Sequence, residues 1–167
     1  MTRTLILGIT ETGKSTLAKK LCAGYNARNI HTIVCDPLLD PDWCASFQTA
    51  NPDDFVKMFF SSRDCAVFID ESGDVVGRFP SDELRTIATR GRHWGHDVFF
   101  IAQRATQLSA TVRMQCTRLY LFTSSFEDGK ILAQEFNKPE LRNCAQLKKG
   151  EFYACDLHGE VKKMRVF

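Results

Sequence analysis

Two glycines with four residues between them, then a lysine and a hydroxyl, make Gly8-Ile9-Thr10-Glu11-Thr12-Gly13-Lys14-Ser15-Thr16 a candidate polyphosphate cradle. The glycines let the backbone curl until successive amide N–H groups point inward, and a helix starting behind them adds its positive end. Lys14 brings a full charge to the outer phosphates, and the Ser15 hydroxyl is placed to hold Mg²⁺. Thr10, Glu11, Thr12 and Thr16 complete the binding set. An ordinary turn and helix cap would need neither the lysine nor the hydroxyl at this spacing. The ligands implied are ATP and Mg²⁺.

The second constellation is Ala66-Val67-Phe68-Ile69-Asp70-Glu71, an apolar run ending in two acids. Asp70 would complete the metal site through the magnesium's water shell, while Glu71 would polarise a water attacking the terminal phosphate. A base in that place separates hydrolysis from small-molecule kinase chemistry, which must keep water out. Acids commonly follow strands, so the pair takes its meaning from the loop upstream. Gln103 ends another apolar run, Val98-Phe99-Phe100-Ile101-Ala102, on the edge of the sheet where such folds bind ligands. There it would sense the γ-phosphate or its water.

Arg90, Arg92 and Arg113 are the candidates for charge on the transition state, because an arginine reaching in from a neighbouring subunit is worth about 10³ to 10⁵ in rate. Arg104 and Arg118 flank strands, where they would line a pore or lay their stems along the sheet edge. Trp94 would stack on a base or be buried in a subunit contact, and His93 and His96 lack further partners for a metal. From Arg85 to Arg118 there are six arginines and one acid, whereas Asn29 to Val56 carries five aspartates and no lysine or arginine. That asymmetry suggests one basic face for a polyanion, against the plainer account of scattered solvated arginines.

These groups need a frame, and apolar runs alternating with helical patterns supply one: a parallel sheet with crossover helices. Strands are predicted over 2–7, 31–35, 66–70, 98–102 and 119–123. Helices are predicted over 14–23, 53–61, 81–90, 109–115 and 127–136, and a terminal hairpin over 151–156 and 160–167. With 167 residues and 44% hydrophobic content, one domain spanning residues 1–167 is expected. Apolar runs are too short for a membrane span or a secretory signal, so a cytoplasmic protein is expected. The seven cysteines form no CxxC pair and lie mostly in apolar runs, which reads as buried reduced thiols rather than a zinc site or disulfide framework.

The series GITETGKST, VFIDES and RTIATRGRHWGHDVFFIAQRATQLSATVRMQCTRLYLF resembles the FtsK/HerA superfamily of P-loop ATPases. The likeness is to its compact viral branch, the genome-packaging ATPases and the zonula-occludens-toxin-like assembly ATPases of filamentous phages. It runs from Thr4 to about Phe122. The resemblance implies an α/β, RecA-like core with a mainly parallel five-stranded sheet of order 5-1-4-3-2, here followed by the C-terminal β-hairpin. It implies a homo-oligomeric ring, usually a hexamer, that pulls DNA through its pore using ATP. By position, Lys14 and Ser15 bind nucleotide and Mg²⁺, Asp70 completes the metal site, Glu71 is the base, Gln103 is the sensor, and Arg90 or Arg92 is the finger. Phage capsid or assembly proteins are the further partners implied, with the host cytoplasm or the virion as location. Two departures stand out: Glu11 lies where small residues are common, and the expected anchor or appended DNA-binding domain is missing.

The leading reading is therefore a single-domain ring ATPase that moves DNA, encoded by a phage or virus. A nucleotide or nucleoside kinase would leave Glu71, Gln103 and the arginines without roles. A slow nucleotide-dependent switch or assembly protein is the remaining alternative.

Overall fold

The computed structural model describes residues 1–70 and 81–167. In chain order the elements are β1 (Arg3–Leu7), α1 (Lys14–Asn26), β2 (Thr32–Cys35), β3 (Phe47–Thr49), α2 (Pro52–Ser61) and β4 (Ala66–Ile69). There follow α3 (Ser81–Arg90), β5 (Asp97–Ala102), α4 (Ala110–Gln115), β6 (Arg118–Phe122), α5 (Phe126–Glu135), β7 (Glu151–Asp156) and β8 (Lys162–Arg165). They build one eight-stranded sheet of order β3-β2-β4-β5-β1-β6-β7-β8. Neighbours from β3 to β6 are parallel, and β7 and β8 are antiparallel to what precedes them.

The five strands expected from the sequence keep the mutual order 5-1-4-3-2, but the sheet differs in detail. Phe47–Thr49 adds a strand outside β2, and the hairpin pairs with β6, so the five become eight. The three residues of β3 are half-buried and show no alternation, which is why the sequence did not reveal them. Pro139–Gln146, a 3₁₀ segment packed on α5, was likewise not anticipated.

The unbroken apolar runs have the predicted cause. Along β1, Leu5 and Leu7 enter a core shared with α2, α3, α4 and α5, while Ile6 enters the opposite core under α1. In that second layer the rings of Phe68 and Phe99 stack with centroids 4.5 Å apart, and Trp43 and Tyr25 pack against them. Burying this much apolar surface on both faces fixes the heights of the strand tips. Six cysteines are buried and Cys44 is exposed, all of them free. Burial pushes the thiols of Cys35 and Cys116 up to about 12, which suits inert core residues. Among the described residues no helix is long and apolar enough to cross a membrane.

Candidate nucleotide site

The loop after β1 is pinned between two strand tips. Gly8 N–H donates to the Ala102 carbonyl (3.3 Å) and Ile9 N–H to the Thr123 carbonyl (2.9 Å). Gly13 has φ of +115°, and a Cβ there would come within 2.9 Å of Val166 Cγ1, so this turn excludes any larger residue. Glu11 also adopts positive φ, 62°, a conformation that costs an ordinary residue about 1–2 kcal/mol. Its side chain is exposed and borders the groove over the loop.

Inside the loop, Thr12 Oγ1 (2.8 Å) and Lys14 Nζ (2.7 Å) both donate to the Ile9 carbonyl. Lys14 is only 9% exposed, so the curl holds its ammonium at the loop's centre. Ser15 and Thr16 stand exposed in the first turn of α1. Asn51, Ser109 and Ser125 cap α2, α4 and α5 with side-chain oxygens, whereas α1 starts at Gly13 with no side-chain cap and no acid in its first turn. The positive end of α1 is thus turned to the groove, in the form that binds phosphate.

Asp70 follows β4 and is 9% exposed, its N–H donating to the Cys35 carbonyl (2.9 Å). Two strand spacings, about 10 Å, separate β4 from β1, so Asp70, which follows β4, and the loop that follows β1 lie at the same edge of the sheet on either side of β5. No cluster of three or more His, Cys, Asp or Glu side chains that could cage a metal occurs among the described residues. One carboxylate and one hydroxyl instead fit Mg²⁺ of the phosphate-bound kind, which keeps much of its water shell. Glu71 lies outside the described residues.

Gln103, at the tip of β5, reaches the loop: Thr10 Oγ1 donates to its Oε1 (3.4 Å). Its backbone is held in turn, because Gln103 N–H and Arg104 N–H both donate to Gln107 Oε1 at 3.0 Å. Behind them sits the wholly buried carboxylate of Asp128. It accepts from Arg104 Nε (2.7 Å), Ala105 N–H (2.9 Å), Ser124 Oγ (3.1 Å) and Ser125 Oγ (2.7 Å). Burial pushes its pKa up, but the bonds from Ser125, Ala105 and Arg104 outweigh that and hold it below the ordinary carboxylate value. A depressed folded pKa means the unfolded chain binds the proton more readily, so this stability is present above about pH 4 and lost as pH falls through the folded value. Asp128→Asn is expected to cost about 3 kcal/mol at neutral pH. In thermal melts its deficit against the wild type should narrow below about pH 4.

The arginines separate. Arg113 is a structural residue, not a free charge: its Nε and Nη2 clasp Glu135 (2.7 Å for the shortest bond) and its Nη1 donates to the Ala105 and Leu108 carbonyls. Arg104 is paired with Asp128. The arginine-rich run therefore makes no continuous basic face, because two of its members meet acids from α5. Arg90 and Arg92 are exposed and lie at the opposite edge of the sheet, where Arg92 shares a groove with Arg3 and His93. Trp94 packs within its own chain, its Nε1 donating to the Phe60 carbonyl (2.9 Å) and its ring edge-on to Phe60. His96 is buried: Cys65 N–H donates to its Nδ1 (3.1 Å), leaving Nε2–H to donate to the Phe59 carbonyl (2.9 Å). Burial lowers its pKa, so the ring is neutral and structural.

Sequence reasoning missed Lys149 and Phe167, which close the far side of a groove of about 600 Å³ over Gly13, Lys14, Ser15 and Thr16. They arrive there because β7 runs antiparallel to β6, which starts the hairpin at the loop's own edge, and Gly150 N–H donates to the Thr12 carbonyl (3.0 Å).

No family model and no curated protein matches the sequence. Solved structures do match. The genome packaging NTPase B204 from Sulfolobus turreted icosahedral virus 2, in complex with ATP-gammaS, superposes with a TM-score of 0.80 at 17% identity, covering 98% of this chain and 97% of that one. The chain shares the fold of that packaging NTPase. The same fold extends to the pCW3 conjugation coupling protein TcpA, at TM-score 0.74 and 13% identity, covering 98% of this chain and 59% of that one. It extends also to the cytoplasmic domain of the type VII secretion ATPase EccC of Thermomonospora curvata, at 0.69 and 12%, covering 98% of this chain and 25% of that one.

Proposed function

We propose that this chain is a Mg²⁺-dependent ATPase that works as a ring of identical subunits to move DNA, in genome packaging or a related export step of a phage or virus. The observation that carries the reading is the meeting, at one sheet edge, of the phosphate loop, Asp70 and Gln103, with Gln103 already bonded to Thr10 of the loop. The likeness to a packaging NTPase over nearly the whole length of both chains supports the same reading.

The amides of Gly13 to Thr16 and the start of α1 bind the phosphates, and Lys14 concentrates positive charge on the outer ones. Ser15 and Asp70 would hold Mg²⁺, which neutralises charge developing on the phosphates. Glu71 takes the proton of the attacking water. Gln103, tied to Thr10, registers whether the γ-phosphate is present and passes that state through Arg104 and Asp128 to α5. Arg90 and Arg92 serve a neighbour's site. DNA is gripped through its phosphates, since a motor cannot depend on sequence, and that grip weakens steeply with salt.

The test is ATP hydrolysis measured with and without DNA at rising protein concentration. Specific activity should climb with concentration and again with DNA, and Glu71→Gln should bind ATP yet lose steady-state turnover. Turnover independent of both concentration and DNA, or a fully active Glu71→Gln, would refute the motor.

A further inference from the structure

The groove over the phosphate loop has two sides, and the sheet order decides what each contacts. Asp70 and Gln103 follow β4 and β5, on one side of β1; Lys149 precedes β7 and Phe167 follows β8, on the other. The reacting end of a bound triphosphate belongs beside Asp70 and Gln103. The rest of the nucleotide must then run past Ser15 and Thr16 toward Lys149 and Phe167.

Phe167 is seated there with some care. Its ring lies on Gly150, where a Cβ would strike ring carbons at 2.7 to 3.2 Å, and its Cε1 would be 3.4 Å from a Cβ on Gly13. Val166 beside it is buried, and Val166 N–H donates to the Gly150 carbonyl (2.9 Å) while Lys20 Nζ donates to the Val166 carbonyl (2.6 Å). The backbone is thus fixed from two elements, yet Phe167 itself stays 56% exposed at the groove. A large apolar ring held open to water beside a phosphate cradle is a surface waiting for another flat, apolar partner.

We propose that Phe167 is the stacking platform for the purine base of the bound nucleotide, with Lys149 adding positive charge along the same groove. This rests on the nucleotide-binding reading and names a part of that site which the phosphate motif does not contain. Stacking draws on the π-face that every base presents, and Lys149 acts on the phosphates by charge.

Calorimetric titration with ATP and with inorganic tripolyphosphate tests it on the wild type, Phe167→Ala, Phe167→Tyr and Lys149→Ala. Phe167→Ala should weaken ATP roughly 10- to 100-fold while leaving tripolyphosphate unchanged, and Phe167→Tyr should bind both as the wild type does. Lys149→Ala should weaken both ligands together. Unchanged ATP affinity in Phe167→Ala, or an equal loss for ATP and tripolyphosphate, would overturn the stacking role while the nucleotide reading survives. A wild type that binds neither ligand would remove the nucleotide reading and this inference with it.

Discussion

Mixing chains that lack the trans arginine, Arg90→Ala or Arg92→Ala, with Lys14→Ala chains is expected to restore ATP turnover that neither variant has alone. The reason is the length of a strand. Arg90 ends α3 and Arg92 lies in the 3₁₀ turn Gly91–Trp94 that leads into β5 at Asp97. The phosphate loop follows the other end of β1, which pairs with β5 in parallel from Arg3↔Val98 to Leu7↔Ala102. Those four residue steps span about 13 Å, beyond the reach of an arginine side chain. Neither residue can reach its own chain's phosphate loop across that interval, so a role on the transferred phosphate would have to be exercised on a neighbour.

An arginine of this kind contributes about 10³ to 10⁵ in turnover, so its loss should silence a homogeneous ring. In the mixture, a chain with an intact loop but no arginine sits beside one with the arginine but no working loop, and that junction is complete. Running Arg92→Ala through the same pairing decides between the two positions: the finger is the one whose loss is deep and whose mixture recovers. Full activity in both single variants, or deep losses that no mixture repairs, would refute a shared site. Arg113→Ala serves as the contrast. Its guanidinium is spent on Glu135 and two carbonyls, so its defect should appear in thermal stability and stay unrepaired by mixing.

What the sequence made legible followed from short-range chemistry. The loop from Gly8 to Thr16 could be read because its glycines, lysine and hydroxyls act within one turn of chain, and the five parallel strands because burial on both faces leaves an unbroken apolar run. Gln103 could be placed because a strand tip inherits its position from the strand. The rest depended on partners distant in sequence. Arg104 and Arg113 looked like free charges until α5 brought Asp128 and Glu135 to them. Trp94 looked available to stack on a base until Phe60 took up its ring nitrogen and edge, and the place of His96, not read as a ligand, came only with Cys65 and Phe59. Lys149 and Phe167 carry no motif at all, and only the pairing of β7 with β6 and β8 with β7 sets them beside Gly13. Local pattern thus announces the loop, while the register of the sheet sets Lys149 and Phe167 beside it.

Lys14→Ala is expected to lower ATP turnover by at least about 10²- to 10³-fold, because it removes a full charge from the phosphate being transferred. The amide cradle would survive the change. Gly8 and Ile9 remain pinned to the Ala102 and Thr123 carbonyls, and Thr12 still donates to the Ile9 carbonyl, so only one of the two side-chain bonds to that oxygen is lost. Binding should divide by ligand: AMP, which has one phosphate, should lose little, whereas ATP should lose most. Lys14→Arg is the sharper variant, since it preserves charge but forces a planar fork into a place where the residue is 9% exposed. If charge alone mattered, arginine would rescue; if the point charge must sit at the centre of the curl, arginine should fail as alanine does. We expect failure, with AMP binding retained, and turnover near wild type in Lys14→Arg would show that the loop's geometry around the ammonium is not what fixes the rate.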